Sequence, residues 1–284
     1  MNKSYNILIV VCHPDDEAIW LGGLIHALSK FKFISVNVIC LSGKDRKSPR
    51  EGEFFKAKKI VGYDKGVVMG GELRPALDEL PNTVVTVKNG LKILGRSMDE
   101  VSLLITHSPY GDEQGHPHHI QASEQLYKWT KNNNIPFGYF SCLPVPSCYL
   151  KPLLKNMRQK GKFQFLNFAR CTYSFYGNLL RLFSVKPIIF PKYYFQFLTD
   201  GLAKAKMLHC YQSINVEQHS MTYSMFSNNT ESIYVFDERG AEPFKYILER
   251  MQMTGRENLF VNWWYYGKKI RRIVKSCLLW VKII

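Results

Sequence analysis

Residues Ile7 to Val11 form an unbroken, mostly β-branched apolar run, and His13, Pro14, Asp15, Asp16 and Glu17 follow it almost at once. An apolar run without polar alternation is how a strand covered on both faces reads. Beyond it, Ile19, Leu21, Leu24, Ile25 and Leu28 recur near helical spacing. The same punctuation repeats down the chain. Ile34 to Leu41 reads as a strand ended by Ser42 and Gly43, Arg50 to Val61 as a helix stopping at Gly62, and Gly66 to Met69 as a strand. Val84 to Ile93 suits a helix, Val101 to Thr106 a strand, His118 to Lys131 a helix and Phe137 to Leu143 a further strand. Strands alternating with helices predict an α/β protein: a Rossmann-like, mostly parallel sheet with helices on both faces. In open sheets of this kind ligands bind beyond the carboxyl ends of the strands.

Beyond Cys142 the pattern loosens. Residues from about 150 to 198 are crowded with aromatic and basic side chains, with Pro187 and Pro191 among them. They read as an insertion or a substrate-facing segment. Leu202 to Tyr211 looks helical again. The chain of 284 residues shows no internal repeat, which favours one domain over residues 1–266 followed by a separate terminal helix over 267–284. In that helix Ile270, Ile273, Val274, Cys277, Leu278 and Val281 share one face, and Lys268, Lys269, Arg271, Arg272 and Lys275 lie opposite. A basic amphipathic helix suits an anionic membrane surface; a terminal helix packed on the domain with a solvated basic face fits the pattern equally.

Charge points the same way. The net charge is +15, and no acidic residue lies between Glu124 and Asp200 or after Glu257. Such a field favours anionic partners, though a solvated basic surface also accounts for it. No motif supports a nucleic-acid partner. No apolar run has transmembrane length, the first twenty residues lack a signal-peptide pattern, and the seven cysteines contain no CxxC pair. The expected location is cytoplasmic, with the terminal helix at the inner face of the membrane.

Two motifs carry chemistry. "HPDD" ends the first strand, and "GDEQGHPHHIQ" supplies His116, His118 and His119 before a later helix. Alone, each has an ordinary reading: an Asp before a helix is a standard cap. Together, each following a strand of one parallel sheet, they open onto the same edge. Two imidazoles and a carboxylate with an open position are a usual ligand set for a catalytic zinc ion, and other divalent ions accept the same set. His13 and Asp16, three residues apart, suit half of such a set, and Asp15 between them is then free to act as a general base. His107 and His209 fall outside these motifs and read as structural.

"HPDDE" with "HPHH" resembles the LmbE-like (PIG-L) family of N-acetylglucosaminyl deacetylases. "LSGKDR", "REGEFFKA" through Arg50, Glu53 and Ala57, "THSPYGDEQGHPHH" and "KAKMLHCYQS" resemble further pieces of that family. The resemblance implies the LmbE-like deacetylase fold and hydrolysis of the N-acetyl group of an N-acetylglucosamine-type sugar, releasing acetate. It implies Zn2+ held by His13, Asp16 and His119, with Asp15 as general base. His116 would steady the oxyanion or protonate the leaving amine, and Arg50 and Glu53 would shape the sugar pocket. With the basic field, it favours a lipid-linked or phosphate-bearing N-acetylated amino sugar as substrate. The competing reading is a non-catalytic glycan- or lipid-binding protein that keeps the fold. Two positions depart from the family pattern: His118 stands where many members carry Asp or Asn, and Gln212-Ser213 inverts the usual Ser-Gln order.

Overall fold

A computed structural model describes residues 3–45, 48–71, 80–108, 116–140, 193–198, 201–213, 230–254 and 261–265. The terminal helix expected over 267–284, and the aromatic and basic segment apart from its last strand, lie outside the described residues. Strands β1 (Tyr5–Val11), β2 (Ile34–Cys40), β3 (Lys65–Val68), β4 (Leu103–Thr106) and β5 (Phe137–Phe140) alternate with helices α1 (Asp16–Leu28), α2 (Arg50–Val61), α3 (Thr83–Ile93) and α4 (Pro117–Asn132). After them come β6 (Tyr193–Leu198), α5 (Gly201–Leu208), β7 (Thr230–Val235), α6 (Glu238–Thr254) and β8 (Val261–Tyr265). All eight strands join one sheet in the order β3-β2-β1-β4-β5-β7-β6-β8.

The first five strands are parallel, and β1 is their hub. Ile7 pairs with Val36 of β2 on one side and with Leu103 of β4 on the other. The chain therefore builds outward from β1 in one direction, then returns and builds in the other. The gap beyond the carboxyl ends of β1 and β4 is the topological switch point of the sheet. The period-2 geometry of β1 divides the core. Ile7, Ile9 and Val11 pack into the layer that holds α1 and α2, whereas Leu8, Val10 and Cys12 pack into the layer of α3 and α4. Both faces are buried, which is why the run reads as continuously apolar.

The remaining strands are antiparallel: β7 to β5, β6 to β7 and β8 to β6. The reading of about 150 to 198 as an insertion or substrate-facing segment is thus corrected at its end, where 193–198 form a strand inside the sheet. Phe195 and Phe197 alternate onto one face, are fully buried and pack on Phe244 of α6. Aromatic crowding concealed that alternation. The antiparallel turnabout has a topological result. Leu198 at the end of β6 pairs with Thr230 at the start of β7, and Phe140 at the end of β5 pairs with Ile233. The connection between β6 and β7, which carries α5, therefore leaves and re-enters at the same sheet edge as the switch point.

α5 packs on α1 at close range: a Cβ on Gly22 would meet the Met207 sulfur at 2.7 Å. A buried ion pair braces the contact, Lys204 Nζ lying 2.8 Å from Glu231 on β7. The same carboxylate accepts the Gly23 and Leu24 amides of α1 at 3.1 and 2.6 Å. Among the described residues no helix is long and apolar enough to cross a membrane. Removing one member of a buried pair costs about 3–5 kcal/mol. Glu231→Ala, which strips the carboxylate from Lys204 and from two helix amides, is expected to lose that much in urea unfolding.

Candidate metal centre

The turn after β1 is fixed before any ligand is considered. Gly43, with φ of 102°, passes so close to Pro14 that a Cβ there would run into the proline ring. Arg50 of α2 donates to the Pro14 carbonyl at 3.2 Å. Asp15 takes φ 144° and ψ −30°, rare for a non-glycine residue, and α1 starts at the next position without using the Asp15 side chain as a cap. The simple capping role that "HPDD" would also fit is therefore absent. Instead, Asp16 closes the turn, its Oδ2 accepting the His13 amide at 2.8 Å.

Asp16 Oδ2 is the centre of the cluster. It lies 3.4 Å from His13 Nδ1 and 3.4 Å from His119 Nε2, and those two nitrogens are 3.4 Å apart. The three atoms form a nearly equilateral triangle. A tetrahedral ion with bonds of about 2.0–2.1 Å to nitrogen and oxygen spaces its ligand atoms by about 3.3–3.4 Å. The donor set, its chemistry and its spacing fit a small divalent cation with one position left open. All three side chains are buried. His116 offers a further nitrogen, within 4.8 Å of the donors of His13 and His119. It caps α4, its side chain accepting the His118 amide, and its ring stacks on His119 at 4.4 Å.

Two histidines outside the donor triangle surround it. His118 Nδ1 is 3.1 Å from His13 Nε2. With His13 Nδ1 turned to the triangle, Nε2 carries the proton and donates it to His118, which fixes the tautomer and ring angle of His13. The imidazole of His118 thus does what an Asp or Asn at that position could do. His107 stacks on His119 at 3.8 Å, and its Nε2 lies 3.1 Å from the Cys12 amide and 3.3 Å from Asp16 Oδ2. Sequence reasoning set His107 aside. The signal available was its place, directly after β4 at the same sheet edge as "HPDD". His209, set aside with it, is exposed beyond α5.

Electrostatics separate the neighbouring carboxyls. Burial alone would push Asp16 up, but His119 and His107 hold it well below the usual carboxylate range. Burial and the charge of Asp16 push Asp15 well above that range, against the pull of Arg50, whose Nη2 is 3.3 Å away. Burial lowers His13, against Asp16, and lowers His107 to about 4. Glu17 is fully buried and raised to about 7 by burial, against the hydroxyl of Tyr211, which it binds. Glu17 lies in the first turn of α1, where a negative charge suits the helix dipole, but inside the protein. Glu53, expected at a sugar pocket, accepts from the amide and hydroxyl of Ser213 and ties α2 to the residues after α5.

Fold and site together define a doubly wound α/β protein with a His-carboxylate cluster at its switch point whose spacing fits a divalent cation. No family model matches the chain. The chain is 31% identical over 132 residues to a probable N-acetylglucosaminyl-phosphatidylinositol de-N-acetylase of Schizosaccharomyces pombe, over 44% of this chain and 52% of that protein. It therefore spans about half the length of the curated relative it matches, a relative whose named activity is that of the family the "HPDDE" and "HPHH" motifs resemble. Solved structures overlay loosely. A triple mutant of a teicoplanin-pathway deacetylase aligns at TM-score 0.48 and 12% identity, over 81% of this chain and 97% of that one. The N,N'-diacetylchitobiose deacetylase of Pyrococcus horikoshii aligns at TM-score 0.41 and 15% identity, over 91% and 84%.

Loss of the partner that orients a ligand histidine costs about 10–100-fold in metal affinity. His118→Ala is expected to weaken Co2+ or Zn2+ binding by that factor in chelator competition, and His118→Asn, whose amide oxygen can accept from His13, to recover most of it. Protons compete for ligand atoms only below their pKa in the folded protein. Because His13 and Asp16 are both depressed, protons are expected to displace a bound metal from these two donors only below the ordinary imidazole value of about 6.5. Metal retention after dialysis across a pH series measures this.

Proposed function

We propose that this chain is a metal-dependent amide hydrolase that removes the acetyl group from an N-acetylglucosamine-type sugar. The observation that carries the reading is the 3.4 Å donor triangle of His13, Asp16 and His119 with a separate carboxylate, Asp15, beside it. A site built only to hold an ion has no use for that second carboxylate, whereas amide hydrolysis needs a base. The similarity to the Schizosaccharomyces pombe relative supports the same class of substrate.

In this reading His13, Asp16 and His119 hold the ion, and zinc is the first choice for two imidazoles and a carboxylate. When bound, such an ion supplies Lewis acidity that lowers the pKa of water towards about 7 and polarises the acetamide carbonyl. Asp15 takes the proton of the attacking water, and its environment suits that duty: burial raises its basicity, while Arg50 holds the carboxylate in place. His116, half-buried and edge-on to His13 at 4.8 Å, is placed to steady the oxyanion or to return a proton to the departing amine. Water and the amide become acetate and a free amine. Arg50, which already binds Asp15, borders the substrate side of the site. Glu53 acts from behind it, through Ser213.

A lipid-linked or phosphate-bearing glycan is the substrate we favour. It rests on the +15 net charge and on the long stretches without acidic residues. We place the protein at the cytoplasmic face of an anionic membrane, with residues 1–266 as the catalytic domain and 267–284 as a surface-binding helix.

The test is free-amine release from N-acetylglucosaminyl compounds, including the phosphatidylinositol-linked form. Chelator is expected to abolish turnover and zinc to restore it. Asp15→Ala is expected to lower kcat by about 10²- to 10⁴-fold with metal content unchanged. Stoichiometric metal without turnover on any acetylated sugar would leave a glycan- or lipid-binding protein as the better reading.

A further inference from the structure

The strained backbone of Asp15 needs something to hold it, because a non-glycine residue at φ 144° persists only where its surroundings over-determine it. Its carbonyl is used by α1, accepting from Ala18 and Ile19 at 2.9 and 2.8 Å. Its amide donates 3.2 Å to Glu17 Oε2. The other oxygen of Glu17, Oε1, accepts the hydroxyl of Tyr211. Glu17 is fully buried and Tyr211 is 2% exposed. A buried carboxylate bonded through both oxygens cannot rotate without breaking both bonds. The Tyr211 hydroxyl therefore sets the orientation of Glu17, and Glu17 sets that of the Asp15 amide.

The same segment also binds the helix whose Arg50 contacts the carboxylate end of Asp15. Two residues after Tyr211, Ser213 bonds both oxygens of Glu53. Glu53 lies one turn along α2 from Arg50, which contacts Asp15 Oδ2 and the Pro14 carbonyl. Residues 211–213 thus bind Glu17, which holds the Asp15 amide, and also the helix that carries Arg50.

We infer that Tyr211, acting through Glu17, is a positioning residue that aligns Asp15. This inference rests on the reading of Asp15 as the base in amide hydrolysis. Tyr211 touches no metal ligand in the triangle, so its effect is on alignment and not on metal binding.

Tyr211→Phe removes one oxygen atom and tests the link in the full-length, zinc-loaded protein. Misalignment of a reacting group costs about 10- to 100-fold in rate. On the N-acetylglucosaminyl compound that the wild type turns over fastest, kcat is expected to fall by that factor with KM and zinc content unchanged. In an Asp15→Ala background the same substitution is expected to change residual kcat less than about twofold, because the residue it aligns is gone. Glu17→Ala breaks the link from its other end and serves if Tyr211→Phe does not fold; its loss of kcat should match and should not multiply with that of Tyr211→Phe. Wild-type turnover with kcat unchanged in Tyr211→Phe, or an undiminished loss on top of Asp15→Ala, would overturn the inference.

Amide hydrogen exchange at Asp15 separates this inference from the functional reading, since it needs no substrate. Exchange is expected to rise about tenfold or more in Tyr211→Phe while β1 amides keep their protection. If no acetylated sugar is turned over but Asp15 exchange rises, the hydrolase reading fails and the alignment stands. Unchanged exchange at Asp15 overturns the alignment.

Discussion

A single carboxylate oxygen organises this protein's candidate site. Asp16 Oδ2 receives the amide of His13 and lies within 3.4 Å of nitrogens from three histidines carried by two turns and a helix. An anion so placed inside a protein is costly unless it is surrounded by donors or by a cation. His13 follows β1, whereas His107 and His119 both follow β4, so the oxygen also ties together the ends of β1 and β4. The sheet order makes this convergence possible. Only β1 and β4 flank the switch point, and the residues that matter follow those two strands.

Much of this is legible from residues 5 to 140. Ile7 to Val11 announces a doubly covered strand, helical spacing marks α1, and Gly62 ends α2 in the left-handed conformation that glycine tolerates. The motif "HPDD" alone reads as an ordinary cap, and it points to a donor pair only beside "HPHH" after a second strand of the same sheet. Position against the sheet, more than motif, would have found His107. Later residues were harder to read. Phe195 and Phe197 alternate as a strand should, but they stand among so many aromatics that the period disappears. Nothing local in Tyr211 marks it as the partner of Glu17, because the bond spans 194 residues and depends on how β6 and β7 turn back.

His118 shows how a local departure can preserve a role. A carboxylate next to His13 would add a second negative charge to a crowded, water-poor site. An imidazole accepts the same proton from His13 Nε2 without that charge. With His13 and His107 both lowered by burial, Asp16 is the anionic member of the donor triangle. One divalent ion there would exceed its counter-charge, which strengthens the attraction of the site for negative charge developing on a bound substrate.

The connection that leaves β6 and re-enters β7 at the switch-point edge also separates near contacts from distant ones. All three atoms of the donor triangle lie within the first 119 residues, and a chain emerging from its N-terminus can assemble β1, β4 and α4 from comparatively short loops. The Tyr211 hydroxyl and the Ser213 bonds arrive only when strands far along the chain have docked, and such distant contacts carry the largest loop-closure cost. Closing the donor triangle thus costs less chain entropy than closing the bonds that orient Asp15.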